Sequence, residues 1–483
     1  MSLNPNDQSS NKRQTIFFLI FCLIIIINPF PLGSNRVWAW SFQAMIASSL
    51  LMLMVSCSLF SNQCVNWSKL KKMKVELILI GAWFIVNALY LIPLPVSLLQ
   101  FLSPTVAIAY ADLGLSTGYL SLDVHTSYQT LMLSVYYFIV FILGVVLVNS
   151  RKRIKFILGL FFILGVIEAI YGMYLVSIGQ TGTLVQINTV AVRNASGTFI
   201  NKNHLVAFLA MCFIMGLALR MILTRKQSND SHGGLHIKFL KFISRPMRVL
   251  DFGLFLIVAG IWNTHSRAGL ASFLLTLLFL FLFVFFSKKI KSINYKAIIS
   301  TCVLGIVLLI VVADDVNYLM ESLGQKSEDS IEHVLSSAEG RMLAVNQVVD
   351  NYPKYWFSGV GPGAYPVFFV NHRLLEQTAF FDHAHNDYIE FAIEYGLFSL
   401  ILVILLLMFL FRIFTFIFNT KRSFYKIVGI CVISCMIYML LHGNMDFNAR
   451  IPANIVTIIV AISVIYGRIV ISSVNSNKNQ VKS

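Results

Sequence analysis

The chain has 483 residues, 57% of them hydrophobic and only 12% charged. A soluble domain carries about 25% charged residues, so a soluble globular fold is excluded and most of the surface must face lipid. The net charge of +16 is spread over short clusters between apolar runs, which points to membrane topology rather than a nucleic-acid-binding face.

A membrane span needs about 20 predominantly apolar residues. Twelve candidates centre near Leu23, Leu50, Trp83, Ile139, Leu164, Cys212, Ile257, Leu277, Gly305, Leu405, Ile433 and Val460. The first run, Ile16 to Asn28, follows Lys12 and Arg13 and ends in NPFPLGS without a small-x-small cleavage site. It reads as a signal anchor rather than a cleaved signal peptide.

Charge fixes the orientation. With the N-terminus inside, the inside segments hold KLKKMK (Lys69 to Lys74), RKRIK (Arg151 to Lys155), the stretch Arg225 to Arg248, SKKIK (Ser287 to Lys291) and TKRSFYK (Thr420 to Lys426). Of the 37 Lys and Arg, 28 fall on or near inside segments and 9 outside, as the positive-inside rule requires. Both termini are then cytoplasmic. The division expected is 1–153, four spans with a semi-apolar interfacial segment at 93–127; 154–313, spans five to nine; 314–387, a large outer loop; and 388–483, three spans and a cytoplasmic tail.

All seven Cys (Cys22, Cys57, Cys64, Cys212, Cys302, Cys431 and Cys435) lie in apolar runs or on the inside. No disulfide framework is expected, and no CxxC metal pattern exists. The large loop carries Tyr352, Tyr355, Trp356 and the turn GVGPGAYP, an ordered rather than a disordered composition. There is no internal repeat.

Chemistry concentrates outside. VRNASGTFINKNH supplies Arg193, Asn201, Asn203 and His204; NTHSRAG supplies Arg267; the large loop supplies Arg341; FDHAHNDYIEFAIEYG supplies His383, His385, Asn386 and Asp387; HGNMDFNARIP supplies Asp446. A guanidinium beside hydrocarbon is costly without a partner or a task, and its planar fork suits a diphosphate. Three readings fit the His383–Asp387 cluster. It is a metal site, a helix cap by His383 and Asn386, or a general base that takes a proton from a hydroxyl near neutral pH, oriented by Asp387, Glu390 or Glu394. Glu168 lies inside the fifth span, as a functional carboxylate or a hydrogen-bonded packing residue.

GTFINKNH before a span, NTHSRAGL between two spans, GVGPGAY in a large outer loop, then HAHNDYIEFAIEYG and HGNMDFNARIPAN form an ordered set. It resembles the O-antigen ligase family, the WaaL and Wzy superfamily, over roughly Ile154 to Gly467. The resemblance implies an all-α polytopic membrane protein of GT-C-like fold with one large periplasmic loop domain over a lateral cavity. It implies a glycan donor linked to undecaprenyl diphosphate, and as acceptor the lipid A core, another glycan repeat or a protein hydroxyl. No cofactor or metal is implied. The family motif H-[N/S/Q]-x9-G falls on His385, Asn386 and Gly396, making His385 the catalytic residue. The family arginines fall on Arg267 and Arg341, as ligands of the donor diphosphate. The setting implied is the bacterial inner membrane, with chemistry on the periplasmic side. An O-antigen ligase is favoured over a polymerase or a protein O-oligosaccharyltransferase of the same superfamily. A flippase for lipid-linked sugars is the rival from another class and predicts repeats and midplane charges.

Overall fold

The computed structural model describes residues 5–60, 65–183, 186–188, 194–223, 246–286, 338–373 and 380–480. These form an all-α polytopic membrane protein, with two short strand pairs as the β-structure among the described residues. Among the described residues, eight helices are long and apolar enough to cross a membrane. They match the expected spans near Leu50, Ile139, Leu164, Cys212, Leu277, Leu405, Ile433 and Val460. Three further expected spans fall on helices: α1 (Pro5–Ile27), α3 (Lys74–Leu89) and α9 (Pro246–Asn263). The expected span near Gly305 lies outside the described residues, as do the inside cluster at Ser287 and residues 225–245 of the inside stretch that ends at Arg248.

Helix α2 (Val37–Phe60) is followed, after α3, by the short α4 (Val96–Leu102) and α5 (Pro104–Asp112). The spans α6 (Val124–Leu147), α7 (Arg151–Ser177), α8 (Lys202–Leu223), α9 and α10 (Arg267–Phe286) come next. Then follow α11 (Ala338–Tyr355), α12 (Tyr365–His372), α13 (Asp387–Tyr395), α14 (Leu400–Asn419), α15 (Ser423–His442) and α16 (Pro452–Gln480).

Helix α8 is the hub, almost wholly buried and packed against α7, α9, α15 and α16. Small residues let the neighbours approach, as membrane packing requires. A Cβ on Gly216 would lie 2.6 Å from Phe162, and one on Gly260 2.6 Å from the Cβ of Ala169. Helix α14 is the opposite case. Leu400, Val403, Ile404, Leu407 and Phe411 stand exposed along it, the face expected of a helix solvated by lipid. The α6 C-terminus leaves carbonyls without intrahelical partners, and cations favour that end of the dipole. Lys69 Nζ donates to Val145 O at 2.6 Å, Arg153 to Leu147 O at 2.7 Å, and Arg468 to Asn149 O.

A second hydrophobic core sits over one end of the bundle. Val106, Ala344, Val348, Tyr355, Phe368, Phe381 and Ile393 pack together there. It unites the 93–127 segment with the described part of the large loop. Leu122 N–H donates to Val360 O at 2.9 Å, and Thr105 Oγ1 to Lys354 O at 3.2 Å. One expectation from the cysteines fails. Cys57 is disulfide-bonded, whereas Cys22, Cys212, Cys431 and Cys435 are buried free thiols.

Candidate active site

Four separate stretches of chain converge under the cap. Helix α8 begins where Asn201 accepts the Asn203 N–H at 2.8 Å, and the Asn201 carbonyl accepts the His204 N–H at 3.1 Å. Asn201 is therefore a cap, and it delivers Asn203 and His204 buried at the helix mouth. Helix α13 begins at Asn386, whose Oδ1 accepts the N–H groups of Tyr388 and Ile389 at 3.0 and 3.2 Å. Asn386 Nδ2 also donates to Asn444 O at 3.0 Å. The capping reading thus holds for Asn386.

His383 caps nothing. Its Nδ1 lies 2.8 Å from Glu390 Oε1, while Glu390 Oε2 accepts the Ala384 N–H at 2.9 Å. Burial alone would lower the His383 pKa, but the adjacent Glu390 carboxylate outweighs it and raises it above the usual imidazole value. Asp387 is buried and clamps the neighbouring loop. Both its oxygens accept the Ala449 N–H, at 3.1 and 3.0 Å, and its own N–H donates to Gly443 O at 2.8 Å.

His385 is the strained member. Its φ is +50°, a left-handed conformation rare for a residue with a side chain. Its Nδ1 lies 3.5 Å from Asp446 Oδ1, with the His385 side chain 13% exposed and Asp446 fully buried. His204 Nε2 approaches the same oxygen at 3.8 Å. Burial would push the Asp446 carboxyl up, but His385, His204 and His442 around it hold it well below the ordinary range. Asp446, not Asp387, Glu390 or Glu394, is the carboxylate facing His385. Phe447 is the hub of the rings: His383 stacks on it at 4.1 Å, and His204 and His385 meet it edge-on at 4.7 and 5.1 Å.

Arg267 opens α10 and is exposed, and the described residues give its guanidinium no partner. Its turn is tied to the cluster through Tyr438, whose hydroxyl lies 3.4 Å from Gly269 O and 3.1 Å from His442 Nδ1. The backbone of Arg341 lies in α11, which packs on α13. Arg193 lies outside the described residues. Glu168 belongs elsewhere: its carboxylate binds Thr198 N at 3.0 Å and Oγ1 at 2.7 Å, so it holds the loop before α8 and matches the packing reading.

Arg450 was missed in the motif HGNMDFNARIP. It is buried between Glu390 (Nε to Oε1, 3.1 Å) and Glu394 (Nη2 to Oε2, 2.6 Å), with its guanidinium 4.1 Å from the Phe391 ring centroid. The two acids pull its pKa further up despite burial. A separation of 56 residues from Glu394 hides such a pair from local spacing. Beside this wall lies a cavity of about 710 Å³. Its lining includes the polar His383, Asp387, Glu390, Glu394, Arg450 and Arg36 and the apolar Leu402, Leu406, Met436, Ile455, Ile458 and Ile462. Among the described residues, no group of three His, Cys, Asp or Glu is arranged to hold a metal ion.

Residues 252–404 match the family model described as O-Antigen ligase. No curated protein matches the chain. The matched segment contains Arg267, His385 and Gly396, whereas His204, Asp446 and Arg450 lie outside it. The match bears out the resemblance carried by the motifs: residues 252–404 are similar to the O-antigen ligase family, within a multi-pass membrane protein.

Proposed function

We propose that the protein transfers a glycan from undecaprenyl diphosphate to an acceptor hydroxyl at the periplasmic face of the bacterial inner membrane. The observation that carries this reading is the His385–Asp446 pair, whose sequence neighbours His383 and Asp387 line a cavity with both charged and apolar walls. Such a cavity suits a polar headgroup on an isoprenoid chain. The family domain supports lipid-linked glycan substrates and a ligase or polymerase type of enzyme.

In the proposed step the acceptor oxygen attacks the anomeric carbon and gives its proton to His385. Asp446 faces Nδ1, so Nε2 is the nitrogen left to receive it, and the carboxylate stabilises the imidazolium that forms. The bond from the anomeric carbon to the phosphate oxygen breaks, and the diphosphate leaves with the electron pair. Arg267 and Arg341 stabilise that developing charge in a site of low dielectric, so no metal ion is needed. A single displacement inverts the anomeric centre. Arg193, Asn203, His204, His383 and Asn386 support the site. The motif set favours ligation over polymerisation.

The reading is tested in proteoliposomes with an undecaprenyl-diphosphate-linked glycan, EDTA, and two acceptors offered in parallel. Product on lipid A core supports the ligase. Elongated lipid-linked chains make the protein a polymerase. Movement of the donor across the bilayer with no product on either acceptor overturns the enzyme in favour of a flippase.

A further inference from the structure

The turn between α1 and α2 is built with unusual care for a connector outside the matched domain. Leu32, Gly33 and Ser34 have φ of +59°, +63° and +57°, three consecutive left-handed residues, of which two carry side chains. Such strain persists only where the surroundings over-determine it, and it clusters at ligand clamps and active sites. Here the surroundings are a buried polar chain. Ser34 Oγ donates to Asn28 O at 2.6 Å, Gln43 Nε2 donates to Ser34 Oγ at 2.6 Å, and Tyr136 OH donates to Gln43 Oε1 at 3.0 Å. Asn28 Nδ2 donates to Ala453 O at 3.1 Å, and Phe199 packs against Gly33 so closely that a Cβ there would be 2.5 Å from its ring. The turn is thereby locked to the first turn of α16 and to the segment before α8.

This locked turn presents Asn35 and Arg36 to the cavity already described, with Arg450, Glu390 and His383 also on its lining. Arg450 is consumed by two carboxylates. Arg36 is exposed, and the described residues give its guanidinium neither an ion pair nor a hydrogen bond. It is the cation on the cavity lining with its donors uncommitted. An uncommitted fork of donors on the lining of a largely apolar chamber is matched by a phosphate ester on a long hydrocarbon chain.

We propose that Arg36 clamps a phosphate of the polyprenyl-linked substrate in the cavity, with the strained 32–34 turn fixing its position. This rests on the transfer reading for the identity of the lipid, but not for the existence of the site. The hydroxyl-rich part of the substrate then faces the carboxylate wall, and the isoprenoid chain lies along Leu402, Leu406 and Ile455.

The test measures binding to the full chain in nanodiscs of zwitterionic phosphatidylcholine, with undecaprenyl diphosphate, undecaprenol and inorganic pyrophosphate as probes. Arg36→Ala is expected to weaken undecaprenyl diphosphate about tenfold, the scale of one charge-assisted contact, and Arg36→Lys less. Undecaprenol is expected to bind both variants as it binds the wild type, which also reports that the cavity is folded. Unchanged affinity of Arg36→Ala for undecaprenyl diphosphate overturns the proposal, as does an equal loss for undecaprenol. Arg36-dependent binding of pyrophosphate as tight as that of the lipid, or equal competition by phosphatidylglycerol, overturns the assignment to the substrate lipid. His385→Ala separates the two readings: it retains binding and loses transfer, whereas wild-type transfer by that variant removes the proposed function and leaves the Arg36 site standing.

Discussion

At the scale of single residues, the site divides its acids between two tasks. Asp446 faces the proposed base, whereas Glu390 and Glu394 hold Arg450. Removing Arg450 leaves the buried Glu394 carboxylate without its ion pair and Glu390 with His383 alone, so Arg450→Met should cost about 3–5 kcal/mol, read as a large fall in the detergent unfolding midpoint; an unchanged midpoint contradicts the pairing. The His383 pKa is raised by Glu390. A group raised on folding contributes stability below its unfolded value, about 6.5, and loses it as pH climbs through the higher folded value. The midpoint gap between wild type and His383→Gln should therefore be wider at pH 6 than at pH 9; equal gaps would contradict it. Asp446 is depressed, so its contribution is present above about pH 3.9 and fades only as pH falls through its lower folded value. Asp446→Asn should lower transfer by about 10²-fold with normal protein level.

At the scale of elements, the ligase motif glycine has a packing reason. Gly396 ends α13 with φ of +52°, and a Cβ there would lie 2.6 Å from the carbonyl oxygens of both Trp356 and Phe357. A Cβ on Gly359, at φ +70°, would likewise lie 2.3 Å from the Glu394 carbonyl. These two glycines dock the cap loop onto the helix that carries Glu390. Gly396→Ala should cost about 1–3 kcal/mol of backbone strain and depress transfer along with the unfolding midpoint. Loss of transfer with a wild-type midpoint would instead assign Gly396 a direct part in the chemistry. Hydropathy alone made the spans legible, because a 20-residue apolar run has few other uses. The cap was less legible. Its core joins Val106 to Phe368 and Ile393, residues separated by hundreds of positions, and no local period reports such a contact.

At the scale of the whole molecule, the polar motifs of four connecting segments meet at one end of the bundle, as their common side in the charge pattern had implied. His204, His385 and Asp446 come together around Phe447. What the sequence concealed was the direction of each polar side chain. Asn201, Asn386 and Asp387 turn to backbone groups, and Arg36 and Arg450 line the cavity. A helix cap and a ligand-facing group use the same residue types, so only the fold separates them. The central claim is that His385, backed by Asp446, activates the acceptor. Single-turnover transfer from an undecaprenyl-diphosphate-linked glycan in proteoliposomes tests it most directly, with wild type and His385→Ala at matched protein level. The account predicts that His385→Ala binds the donor as wild type does and loses at least about 10²-fold in transfer rate. A variant that transfers at the wild-type rate would contradict it.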